Sequence, residues 1–269
     1  MRVARRISPR ARTTEEHAAC SIASAPWVSA AMPQSAYPWM IRLTRSRQPR
    51  QTSLRSSRKV QIADLAVILG NRDGIQFTYS KGDLDIESII PIASASKWLS
   101  AMILMRLVEE GVLSLSDNPQ DYLSFWTESA DDPRSRITLA HLLSFTSGFE
   151  GSTGLGAQEG VNCVEDAETT IEACAEAIFA SGLKEDGGYF AYEPGTTFYY
   201  GPIHLHVAAA MAVSATGLRW NQLFRQYVGA GLGLAVQTGF GLPSLENARA
   251  SGGGTASASD YATILQSYI

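Results

Sequence analysis

Cysteine and histidine are scarce in this chain, and no long apolar run occurs in it. Three cysteines and four histidines in 269 residues, with no Cys-x-x-Cys pair and no His-Glu-x-x-His helix, leave no metal-ligand cluster to read. Nor does any Gly-rich loop of the phosphate-cradling kind occur, so no nucleotide cofactor is implied. A Gly-x-Ser-x-Gly elbow, which an α/β-hydrolase would require, is missing too. No segment approaches the roughly 18 to 20 consecutive apolar residues that cross a bilayer as a helix. Acidic residues are almost absent from the start: residues 1–59 hold 12 Lys and Arg against 2 Asp and Glu, whereas the remainder holds 10 against 24. The overall charge of −4 therefore joins two unlike polypeptides.

Residues 1–59 are rich in Arg, Ser, Ala, Pro and Gln without a sustained period, and read as a disordered tail. An Arg-rich transit peptide, a nucleic-acid-binding arm, or translation from upstream of an internal start such as Met40 are the other readings of the same composition. Residues 60–269, with their higher apolar content, read as one soluble folded domain.

The stretch 89–111 organises that domain. Ile89, Ile90 and Ile92 predict a short strand, with Pro91 tolerable at an edge. Leu99, Met102, Ile103, Leu104, Met105, Leu107 and Val108 then predict a buried helix, apolar on every side and closed at Gly111. At its start stand Ser94 and Lys97. A spacing of three puts them on one helix face with Cβ atoms roughly 5–6 Å apart, close enough for the lysine to assist proton removal from a serine nucleophile. The same helix start leaves backbone N–H groups free to face an oxyanion. The plainer reading makes Ser94 a helix cap and Lys97 a solvated first-turn residue, but a lysine there opposes the helix dipole and its neighbours are apolar.

Before this stretch, VQIADLAVILG and IQFTYSKG joined by Asn71-Arg72-Asp73-Gly74 predict a hairpin over 60–81. After it come a short capped helix at Thr138–Phe145 closed by Ser147-Gly148, and a Gly- and Ser-rich loop at 150–165. A helix through Ile171, Cys174, Ala175 and Ile178 then ends near Gly182. His141, alone on its short helix, reads as a packed polar group. Cys163 and Cys174 either bridge or stay reduced; Cys20 has no obvious partner. Glu193-Pro194-Gly195 opens a turn that leads to Tyr200. A helix over Ile203–Thr216 is closed by Gly217, on which His204 and His206 lie two apart and cannot chelate together. Trp220, Leu223, Phe224 and Tyr227 make a further amphipathic helix, and residues 259–265 begin a last one.

In order along residues 60–269, the hairpin, IASASKWLSAMILMRLVEEGVLSLSD, ITLAHLLSFTSGF, EPGTTFYYGP and GGGTASASDYATILQ resemble the serine β-lactamase and penicillin-binding-protein family, in particular its class C-like esterases and carboxypeptidases. The resemblance implies an α/β (α+β) fold, an antiparallel sheet packed against helices plus an all-helical region. It also implies an acyl-enzyme serine hydrolase with Ser94 as nucleophile, Lys97 and Tyr200 as its partners, a small-molecule ester or amide as substrate, and no cofactor. Two departures qualify this. Pro202 stands where the family's Tyr-x-Asn motif has an amide, which favours simple esters over amides; a catalytically silent binding protein is the alternative. The Lys-Thr-Gly or His-x-Gly strand is not found, so the chain is expected to lack the family's C-terminal strands, to catalyse poorly and to leave the hairpin with an open edge.

Overall fold

The computed structural model describes residues 62–150, 162–183 and 190–269. The expected tail at 1–59 and most of the loop at 150–165 lie outside them. The described residues fall within one unit, Val60–Ile269.

Strands β1 (Leu65–Asn71) and β2 (Gly74–Lys81) form the hairpin, antiparallel from Leu65 opposite Lys81 to Asn71 opposite Gly74, with an irregularity between Leu69 and Gly70. The turn closes because Asp73 N–H donates to Asn71 Oδ1 at 2.8 Å and Gly74 takes φ +113°, a value a side chain would resist. The predicted strand at 89–92 shrinks to β3 (Ile90–Pro91). Proline offers no N–H, which confines β3 to the edge of a second, three-stranded sheet.

A tight 3-10 turn, Ala93–Ala95, follows β3, and α1 (Ser96–Glu109) follows the turn, ending before Gly111 at φ +69°. The helix thus starts two residues later than the spacing predicts. Leu99, Ile103, Leu104 and Leu107 are buried, but Trp98 and Met105 are 46% and 45% exposed. The expectation of a helix buried on every side is therefore corrected: α1 has one open face.

The most enclosed helix is α4 (Ile203–Thr216), buried without interruption from Ile203 to Met211 and Ala212, and closed by Gly217 at φ +69°. Its run of alanines keeps it slender, so α1, α2 (Leu139–Leu143), α3 (Ile171–Ala180) and α5 (Trp220–Phe224) all pack against it. The predicted helix through Tyr227 is present but changes pitch: α5 runs without a break from Trp220–Phe224 into a wider, π-helical turn, Arg225–Gly229, that carries Tyr227. Cys163 and Cys174 are bridged, S–S 2.02 Å, tying a short turn to α3.

Strands β4 (Gly239–Phe240) and β5 (Gly254–Ala256) complete the second sheet in the order β3-β5-β4, antiparallel throughout. Helix α6 (Ala258–Gln266), capped by the Ser257 side chain on Asp260 N–H, packs on β1. The architecture is thus mixed α and β, small antiparallel sheets against helices, as the sequence predicts. Among the described residues no helix is long and apolar enough to cross a membrane.

Candidate active site

Ser94 lies in the 3-10 turn between β3 and α1, exposed to solvent. Neither that turn nor α1 has a side-chain cap, so the reading of Ser94 as a helix cap is set aside. As the second residue of the turn, its N–H has no partner within the turn. Ala93, immediately before, holds φ +44°. A non-glycine residue there is strained by about 1–3 kcal/mol, and such strain persists only where the surroundings enforce it.

The enforcement comes from behind. Ile92 N–H donates to Gly254 O at 3.0 Å, Ala95 O accepts the Tyr261 hydroxyl at 3.0 Å, and the buried Ser96 Oγ accepts Gly254 N–H at 3.0 Å. A Cβ on Gly254 would fall 2.8 Å from Ser96 Oγ, and one on Gly253 only 2.1 Å from the Leu242 carbonyl. Gly254 thus lets β5 lie against the segment carrying Ser94, while Gly253 lets the chain entering β5 lie against the backbone of Leu242 and Arg249.

Lys97, half-buried one turn along, donates from Nζ to Ser94 Oγ at 3.0 Å and to the Ser251 carbonyl at 2.7 Å. The ammonium is therefore held between the candidate nucleophile and the loop that enters β5. Its Nζ also stands 4.6 Å from the centroid of the Tyr200 ring. Burial pushes the Tyr200 phenol up, but its interactions with Ser94 and Lys97 and the charge of Lys97 outweigh this and hold it below the usual tyrosine value. The structure thus brings together all three residues singled out from the sequence. A hydroxyl, a cation and an acidified phenol meet at the mouth of a strained turn, a set able to move a proton off a serine.

Pro202 sits at the N-cap of α4, φ −78° and ψ −27°, where a missing N–H costs nothing. His141 takes no part in the group: its Nδ1 accepts Thr138 N–H at 3.3 Å while Thr138 Oγ1 accepts His141 N–H at 3.2 Å, which caps α2. His204 and His206, expected only to be unable to chelate together, are both fully buried. Burial lowers each to about 4.

Three features escaped the sequence. The Ser251 carbonyl and the Ser96 hydroxyl act through contacts more than 150 positions apart, beyond any local pattern; the glycine run 252–254 was the one available signal. The third is Phe145, which stacks on Tyr200 with centroids 5.6 Å apart and planes at 17°.

Penicillin-binding protein 4 of Amycolatopsis lactamdurans is 26% identical over 195 residues, covering 70% of this chain and 47% of that protein. Among solved structures, a beta-lactamase/D-alanine carboxypeptidase from Yersinia pestis superposes with TM-score 0.56 at 21% identity, over 77% of this chain and 62% of its own. EstCE1, described as a hydrolase with promiscuous acyltransferase activity, superposes with TM-score 0.62 at 19% identity, over 76% and 66%. The chain thus spans about half the length of the curated relative it matches. At these identities the superpositions establish the fold. The family model described as Beta-lactamase matches residues 55–267, which contain the Ser94 turn, Lys97, Tyr200 and β5, and on that match the chain belongs to the Beta-lactamase family.

Proposed function

We propose that the chain is a serine hydrolase that works through an acyl-enzyme, with esters as preferred substrates. The observation that carries this reading is the 3.0 Å contact between Lys97 Nζ and Ser94 Oγ, with Tyr200 facing both. Ser94 Oγ attacks the substrate carbonyl, and its proton passes to the Tyr200 phenolate, which the Lys97 charge makes easier to reach. The carbonyl oxygen, now an oxyanion, is received by the Ser94 N–H. Tyr200 returns the proton to the departing alcohol, leaving Ser94 acylated; water then repeats the sequence in reverse roles and frees the acid.

Esters are favoured because Pro202 offers no side-chain amide beside Tyr200, so a donor to an amide substrate's carbonyl is lacking. The Cys163–Cys174 bridge supports residence in an oxidising, extracytoplasmic compartment. The test is covalent: a fluorophosphonate probe should label Ser94 alone. Labelling undiminished in Ser94→Ala would place the nucleophile elsewhere, and a wild type that is not labelled at all would favour a silent binding protein.

A further inference from the structure

Resting on that hydrolase reading, we propose that Phe145 is a positioning residue that fixes the Tyr200 phenol against Ser94 and Lys97. Phe145 follows α2 at φ +59°, a left-handed conformation that helices ordinarily end with in glycine or asparagine. A phenylalanine is strained there, and the strain places its ring flat against the Tyr200 ring at 5.6 Å and 17°. Tyr200 is 45% exposed, and beside its polar interactions with Ser94 and Lys97 its ring is braced by this stack. A flat ring against its own limits how far the Tyr200 side chain can turn away from Ser94 and Lys97.

Phe145 is itself held from both sides. Its carbonyl accepts Tyr199 N–H at 2.9 Å, so backbone and ring grip adjacent residues of the same turn. Next along, Thr146 O accepts Gly195 N–H at 2.7 Å, and Gly148 O accepts Ala191 and Tyr192 N–H at 2.9 and 3.1 Å. The His204 ring meets the Phe145 ring edge-on at 5.1 Å and is pinned by a 2.8 Å hydrogen bond between its Nδ1 and the buried Ser147 Oγ. Segment 145–148 is thus a clasp on segment 191–200, with Phe145 as its catalytic-side tooth.

The experiment compares wild type with Phe145→Gly, Phe145→Leu and Phe145→Tyr. It measures fluorophosphonate labelling of Ser94, kcat and KM on p-nitrophenyl acetate, and melting temperature. Phe145→Gly relieves the backbone strain and so separates the ring from the fold; Phe145→Leu keeps bulk without a flat face. Both should lower kcat and the labelling rate by about tenfold or more with KM within about threefold, while Phe145→Tyr stays near wild type. Folded Gly and Leu variants with kcat within about twofold of wild type, or a Tyr variant as impaired as Leu, would overturn the inference. A wild type whose Ser94 is not labelled would instead overturn the hydrolase reading and this inference with it.

Discussion

Lys97 has two polar contacts at the site and one consequence for Tyr200. Removing it as Lys97→Met should lower the rate by about 10²–10⁴. The pH dependence should also move in a defined direction. In the proposed mechanism Tyr200 acts as phenolate, so the rate should rise as pH approaches its pKa from below. In wild type that pKa is lowered; without Lys97, burial is opposed by Ser94 alone and the rise shifts to higher pH. A pH profile of residual Ser94 labelling that does not move upward would show that Lys97 acts otherwise. At Pro202 the expectation concerns selectivity. Pro202→Asn restores an amide at the start of α4, and should raise turnover of a chromogenic cephalosporin relative to a p-nitrophenyl ester by about tenfold, the worth of one good hydrogen bond to a reacting substrate. An unchanged ratio would remove the proline as the cause.

At the scale of elements, β5 is the piece whose fit matters most. Gly253 has no room: an added methyl would lie 2.1 Å from the Leu242 carbonyl and 2.9 Å from Arg249 N and O, all backbone that cannot yield cheaply. Gly253→Ala should therefore destabilise by about 1–3 kcal/mol, measured by urea unfolding. It should reduce Ser94 labelling as well, because the displaced segment carries the Ser251 carbonyl that holds Lys97. A stable variant with normal labelling would mean that β5 does not set the site. The bridge between Cys163 and Cys174 belongs to this scale too. Asn247 Nδ2 donates to the carbonyls of Cys163 and Asp166, at 2.5 and 2.8 Å, so the bridged turn braces the loop that leads to Ser251. Cys174→Ala should lower the stability by about 3 kcal/mol on the chain-entropy account of an 11-residue separation.

For the whole molecule, the two buried histidines of α4 are expected to make stability sensitive to acid. His206 is fully enclosed, and neither ring nitrogen has a hydrogen bond of ordinary geometry, although the Asn247 amide lies near enough to raise its pKa slightly against burial. Its pKa falls from 6.5 to about 4, so between these values the unfolded chain binds a proton that the folded chain refuses. The contribution of His206 to stability is therefore fully present above pH 6.5 and is lost as pH drops toward 4. The loss amounts to roughly 3 kcal/mol for His206 from its shift alone. His206→Leu should flatten this decline in urea midpoint between pH 7 and pH 4.5; an equal decline in the variant would place the acid sensitivity elsewhere.

The sequence by itself determined the hairpin, the helix order and the pairing of Ser94 with Lys97, because each rests on local rules: a glycine-closed turn, helical periodicity, and a spacing of three that still brings the two together although Ser94 lies in the 3-10 turn before α1. The family pattern added Tyr200. Tertiary structure alone decided which helix would be central. The apolar run in α1 looked more enclosed than the alanines of α4, yet small side chains let four helices close around α4 while Trp98 and Met105 remain exposed. It alone placed the Ser251 carbonyl on Lys97 and the Phe145 ring on Tyr200. Those contacts join residues that no period or motif relates, and they exist only because β5 and the clasp at 145–148 are folded against the Ser94 turn and the Tyr200 turn respectively.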